Sequence, residues 1–163
     1  MPNATLTYGL LAGLATALVI AAVTDLRSRT IGNRLNAAIA LAAPLFWWAS
    51  GHGLWPDVAV QLGVALLTFA ICAGLFAIRA MGGGDVKLLT ALALWIEPAL
   101  FARLIMAMAL LGGVLTILML LGRALRGGRE QLAVPYGVAI AVAGLWTIAS
   151  DYLPAGGSTP TMG

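Results

Sequence analysis

Two aspartates are the residues best suited to chemistry in this chain. Asp25 follows the first long apolar run, and Asp85 sits in Met81-Gly82-Gly83-Gly84-Asp85-Val86-Lys87, between two further runs that are nearly all apolar. Two carboxylates held close together cannot both ionise easily, so such a pair shares a proton. The ionised member can activate a water while the protonated member polarises a carbonyl, which is the division of labour of aspartic proteolysis. Three glycines carry no Cβ, so another backbone can approach Asp85 closely and the chain is free to take φ > 0. The plainer alternative is a tight turn with Asp85 as an N-cap and each carboxylate paired with a neighbouring Arg or Lys. Ionisable residues near membrane depth favour function over that alternative.

The elements that must position the pair are membrane helices. Hydrophobic residues make up 61% of the 163 residues and charged ones 9%, with mean hydropathy +0.99, far from ordinary soluble domains. Successive apolar runs leave no space for a separate soluble domain. One transmembrane domain is expected over residues 1–151, with a polar, disordered tail over 152–163. The expected class is all-α and polytopic, with about six spans, some short or bent. The N-terminus lacks the basic region of a secretory signal and is expected to remain as a span. The net charge of +3 does not indicate nucleic acid, because the basic residues lie in short clusters beside apolar runs, where they act as topology signals. Cys72 is the only cysteine, so neither an intrachain disulfide nor a thiolate metal site is expected, and no cofactor is implied.

The expected spans run from about Leu6 to Thr24, Leu35 to Ala49, Val58 to Ile78, Asp85 to Ile96, Ala99 to Leu121 and Leu132 to Ala149. The first carries Gly9, Gly13 and Ala17 at four-residue spacing, either a stripe for a close-packed neighbour or chance in a Gly/Ala-rich span. Phe46-Trp47-Trp48 suits the far interface, and His52 beyond it reads as solvated rather than as a ligand. The fourth segment covers roughly 20 Å, short of the roughly 30 Å hydrocarbon core. Its glycine-rich turn is therefore expected to dip below the membrane surface, which is tolerated only where protein or a wet cavity surrounds it. With the N- and C-termini outside, eight of the nine Lys/Arg residues fall on the cytoplasmic side and only Arg103 does not. Asp25 and Asp85 then share the cytoplasmic face.

Gly82-Gly83-Gly84-Asp85 fits the G-x-G-D signature, and with Asp25-Leu-Arg-Ser-Arg-Thr-Ile-Gly-Asn33 and Val134-Pro135-Tyr136-Gly137 the chain resembles the type IV prepilin leader peptidases. The resemblance implies a membrane aspartic protease with Asp25 and Asp85 as the catalytic pair. Gly82, Gly83, Gly84, Asn33, Lys87, Pro135, Tyr136 and Gly137 would shape the site or contact substrate, with Lys87 an interface anchor first and a substrate contact second. Gly32 stands where the family usually has proline, and Val138 where longer members often have another. The loop between the first two spans is minimal and lacks the cysteines of the larger bifunctional members. The chain is thus similar to the short, cleavage-only branch of tight-adherence (Flp) pili.

The implied partners are prepilin or pseudopilin substrates with a short basic leader, cut at the cytoplasmic face of a bacterial inner membrane without N-methylation. Oligomeric state is left open. The competing classes are a proton-coupled transporter and a noncatalytic scaffold. No carboxylate lies midway along a span and no repeat relates the two halves, as a transporter pathway would lead one to expect. Helix direction predicts an ionised Asp85 at the start of its helix and a protonated Asp25 at the end of another.

Overall fold

The computed structural model describes residues 3–126 and 136–153. These residues form an all-α membrane protein with six helices: α1 (Ala4–Ser28), α2 (Asn33–Ser50), α3 (Ala59–Ala77), α4 (Gly83–Ala93), α5 (Pro98–Arg126) and α6 (Tyr136–Thr147). Three segments, Ala4–Ser28, Leu54–Ala77 and Pro98–Gly122, are helical, long and apolar enough to cross a membrane. Helix α1 begins where Asn3 Oδ1 accepts the Leu6 N–H at 3.1 Å, an N-cap that satisfies one of the free first-turn donors. It ends at Arg29, whose left-handed backbone (φ 54°) turns its N–H back onto the Asp25 carbonyl. The helix therefore runs one turn beyond the expected end, and Asp25 lies inside it.

Helix α4 is the centre of the bundle, packed against α2, α3 and α6, while α1 joins α2 to α6 and α5 rests on α6. Its 11 residues reach only about 16 Å, yet Asp85, Val86, Leu88, Leu89, Ala91, Leu92 and Ala93 are all buried. A helix this short leaves carbonyls free at its C-terminal end, where the surroundings are apolar. Side chains supply the donors: Trp47 Nε1 bonds the Leu94 carbonyl at 2.7 Å and Gln61 Nε2 bonds that of Ile96 at 2.7 Å. In return, Trp95 Nε1 bonds the carbonyl of Ile39 at 2.9 Å.

That network corrects the expected aromatic belt. Phe46 is in the core, stacked on Trp95 with centroids 4.9 Å apart, and Trp47 is committed to α4. Only Trp48 of the three is widely exposed, at 71%. His52 is bonded to Ser50 Oγ through Nδ1 at 2.8 Å and tilted against Phe46. Among the described residues the Gly9 and Gly13 stripe meets no close neighbour, since nothing stands within 4 Å of a Cβ at either position.

Arg103, the basic residue that fell on the outer side in the charge pattern, is paired. Its Nη1 bonds Asp151 Oδ1 at 2.9 Å and its guanidinium lies 5.5 Å from the Trp146 ring centroid. The Ser150 hydroxyl and Arg103 hold the Asp151 carboxyl below the usual carboxylate range. Tyr152, assigned to the tail by composition, packs on the core and accepts the Glu97 N–H at 3.1 Å. The rest of that tail, 154–163, lies outside the described residues.

Candidate active site

Asp25 and Asp85 are both buried, at 5% and 9% exposure, and together they line a cavity of about 760 Å³ and a smaller one of about 220 Å³. Asp25 comes from the last turns of α1 and Asp85 from the first turn of α4. Residues 60 apart in sequence thus meet at one end of the bundle. A third helix joins them. The Val138 N–H at the start of α6 donates to Asp25 Oδ2 at 3.2 Å, and Tyr136 walls the larger cavity.

The glycines act by proximity. Gly82 has φ −74°, and the only positive-φ glycine among the described residues is Gly51; the left-handed freedom expected of the triplet is not used. A Cβ on Gly84 would meet Ile31 Cβ at 3.1 Å and the Ile31 nitrogen at 3.3 Å. A side chain here would require the Ile31 backbone to give by a few tenths of an ångström, which is harder for backbone than for the end of a flexible side chain. A Cβ on Gly82 would stand 2.8 Å from Asp85 Oδ2, whereas one on Gly83 would meet only the Phe76 ring, at 3.3 Å. The middle glycine is therefore the least constrained by carboxylate or backbone. Gly137 is the tightest of all: its Cβ would fall 2.7 Å from Ile31 Cδ1 and 2.8 Å from Asp25 Oδ2.

Two expected members of the site stand elsewhere. Lys87 Nζ donates to Asn33 Oδ1 at 2.7 Å, and both border a separate groove of about 360 Å³ rather than the cavities of the aspartates. Lys87 points away from Asp85 because two residues along a helix is about 200°; its first role is to tie α4 to the start of α2. Pro135 lies outside the described residues. Residues that the spacing did not single out complete the cavity: Arg29, Arg79, Phe76 and Met81. Arg29 and Arg79 are the only non-glycine residues with positive φ among those described, at 54° and 61°. Left-handed backbone in residues other than Gly, Asn and Asp is uncommon and tends to mark functional sites. No sequence signal distinguishes these arginines from ordinary topology charges.

Gly32, the departure from the family's proline, has φ −63° and ψ 136°, with nothing within 4 Å of its Cβ position. Its carbonyl accepts from Leu35 and Asn36, while its N–H donates no backbone bond among the described residues. Those angles already match proline. Gly32→Pro is therefore expected to stabilise the fold by about 0.4–1 kcal/mol by restricting the unfolded chain. A higher Tm is the expected result; a lower Tm would show that the loop after Asp25 needs the freedom of glycine.

An all-α membrane protein with two buried carboxylates in one cavity, beside a glycine-rich turn, is the class that fold and site define. Residues 12–121, more than half of the 163, match the type IV leader peptidase family. The chain belongs to that family, which is one of peptidases, and the match includes both Asp25 and Asp85. It ends before Tyr136, so the part played by the start of α6 rests on the geometry at Asp25. No curated protein and no solved structure matches the chain.

Proposed function

We propose that the protein is an aspartic endopeptidase that removes the short basic leader of prepilin-like, Flp-type substrates at the cytoplasmic membrane face, without N-methylation. The observation that carries this reading is the shared burial of Asp25 and Asp85 in one cavity, with Gly82 and Gly84 in contact range of Asp85 and Ile31. One carboxylate takes a proton from water as the hydroxide oxygen attacks the scissile carbonyl carbon. The other gives its proton to the carbonyl oxygen. Collapse of the tetrahedral intermediate breaks the C–N bond, and a proton passes to the leaving amine.

The tertiary contacts favour a proton order opposite to that predicted from helix direction. Asp25 does lie near the C-terminal end of α1, but its Oδ2 receives the Val138 N–H from the start of α6. Arg29, one helical turn on, lines the same cavity. Helix α6 thus gives Asp25 the N-terminal donors that its own helix denies it. Asp25 is assigned as the ionised base, and Asp85 as the protonated acid.

Membrane vesicles test the reaction, its side and its products together. Inside-out vesicles containing the protein, given a prepilin-like substrate and S-adenosylmethionine, should yield a leader-sized mass loss and an unmethylated mature N-terminus. Sealed right-side-out vesicles should leave an externally added leader peptide intact. Methylation of the product would remove the cleavage-only assignment, and cleavage from the outer side would invert the topology. A product that forms equally well without both aspartates would end the aspartic reading.

A further inference from the structure

At the end of the bundle away from the aspartates, the end of α2, the Leu54–Val58 turn and the starts of α3 and α5 enclose another polar cavity, of about 550 Å³. Gln61, which lines it, and Phe76, which walls the aspartate cavity, stand near opposite ends of α3, about 22 Å apart at 1.5 Å per residue. The polar side chains that face this cavity are acceptors. Asp57 and Glu97 bring two carboxylates, and neither has a cationic partner, since the one salt bridge among the described residues pairs Arg103 with Asp151. Gln61 is 5% exposed, and its Nε2 is committed to the Ile96 carbonyl at 2.7 Å, which fixes the amide and leaves Oε1 with no hydrogen bond among the described residues. That oxygen is not sealed. The only side-chain atom among the described residues that is both sealed and unpartnered is Asn36 Oδ1, so Gln61 Oε1 opens onto the cavity. The Ser50 hydroxyl donates its one hydrogen to the Phe46 carbonyl, so its bond with His52 Nδ1 at 2.8 Å uses the imidazole hydrogen. The neutral ring then keeps its lone pair on Nε2. Pro56 and Pro98 contribute no N–H to the lining.

We propose that this cavity binds the primary ammonium of an ethanolamine phospholipid headgroup. Two carboxylates, an amide oxygen and an imidazole nitrogen suit a compact cation that carries three N–H donors and needs no donor in return. A bare metal ion does not fit, because no three His, Cys, Asp or Glu side chains among the described residues gather as its ligands. The depth of the cavity makes the membrane the source of the amine. Trp48, Leu54 and Trp55, which are 71%, 85% and 84% exposed, flank the segments that line it, and tryptophans exposed at a helix end sit at the level of the headgroups. A choline headgroup carries the same positive charge without an N–H, so it leaves Gln61 Oε1 unanswered. The bound ammonium ties α5 to α3, two helices that otherwise share few contacts.

Native mass spectrometry of the full chain decides it. The protein is taken in mild detergent from vesicles holding equal amounts of phosphatidylethanolamine and phosphatidylcholine with identical acyl chains, and its retained lipid is identified. One tightly held ethanolamine lipid is expected, favoured about tenfold over the choline lipid, the scale of one charge-assisted hydrogen bond. Headgroups methylated once and twice on nitrogen should fall between the two in order, as donors are lost. Asp57→Asn combined with Glu97→Gln should abolish the preference. Both residues are exposed, and asparagine at position 57 can still accept the Gly53 N–H, so the fold is kept. The methyl series uses the unsubstituted protein and decides the question even if the double variant does not fold. Equal retention of the two lipids, or the same preference in the folded double variant, would overturn the proposal. Binding of soluble ethanolamine with no preference among the lipids would assign the cavity to a water-soluble amine and overturn the headgroup.

Discussion

Asp25→Asn and Asp85→Asn should each lower kcat/KM for leader cleavage by about 10³-fold or more, the scale of losing a general acid or base that acts as part of a pair. Neither change should unfold the protein. Asparagine keeps the shape of aspartate and can still hydrogen-bond, and it spares the fold the cost of burying a carboxylate that shares its cavity with a second one. Tm should hold or rise. A parallel fall in Tm and activity would mean that the aspartates serve the structure. The two variants should differ in binding. With Asp25 as base and Asp85 as acid, an asparagine at position 85 still offers a neutral donor, as the protonated acid does. Asp85→Asn should therefore keep most of the affinity for an uncleavable leader peptide, and Asp25→Asn should lose more of it. The opposite ranking would return the charge to Asp85, as the direction of α1 and α4 alone predicts. Because the pair is coupled, a titration reports the dyad, and only such asymmetric replacements separate its members.

Gly137→Ala is the second change expected to be severe, though it adds one methyl group and favours helix formation locally. The new Cβ would lie 2.7 Å from Ile31 Cδ1, 2.8 Å from Asp25 Oδ2 and 2.9 Å from Asp25 Cγ. Either α6 moves away from α1, breaking the bond from Val138 N–H to Asp25, or the carboxylate leaves its position. Overpacking of this kind costs about 1–3 kcal/mol of stability. A catalytic group displaced by around 1 Å loses about 10²-fold in rate. Gly144→Ala is the matched control: it lies about two turns deeper on the same helix, and its Cβ would press on Leu18 Cδ1 at 2.9 Å, with neither aspartate among its near neighbours. Thermal melts and cleavage rates of the two variants separate the effects. Both should melt lower, and only Gly137→Ala should lose cleavage per folded molecule. Equal cleavage in both would remove the start of α6 from the site.

Much of the molecule was legible in the residues themselves. Hydropathy marks apolar helices without reference to their neighbours, because the run length needed to cross a bilayer is a property of the chain alone. Asp25 and Asp85 stood out for the same local reason: a carboxylate beside an apolar run is costly and uncommon. The glycine triplet announced a close approach, but only the fold shows which backbone approaches. That backbone is Ile31, which a Cβ on Gly84 would crowd, whereas one on Gly83 would meet only the Phe76 ring. Phe46 and Trp47 read as interfacial aromatics because composition cannot register that a short helix elsewhere has free carbonyls to satisfy. Arg29 and Arg79 read as topology charges because left-handed backbone in an arginine has no sequence signature. Proton order depends on tertiary structure in the same way. The field of α1 at Asp25 follows from sequence position, whereas the donor from α6 reaches it across 113 residues. Helix identity is a sum of local terms; the charge on a carboxylate is decided by whatever the fold brings within hydrogen-bonding distance of it.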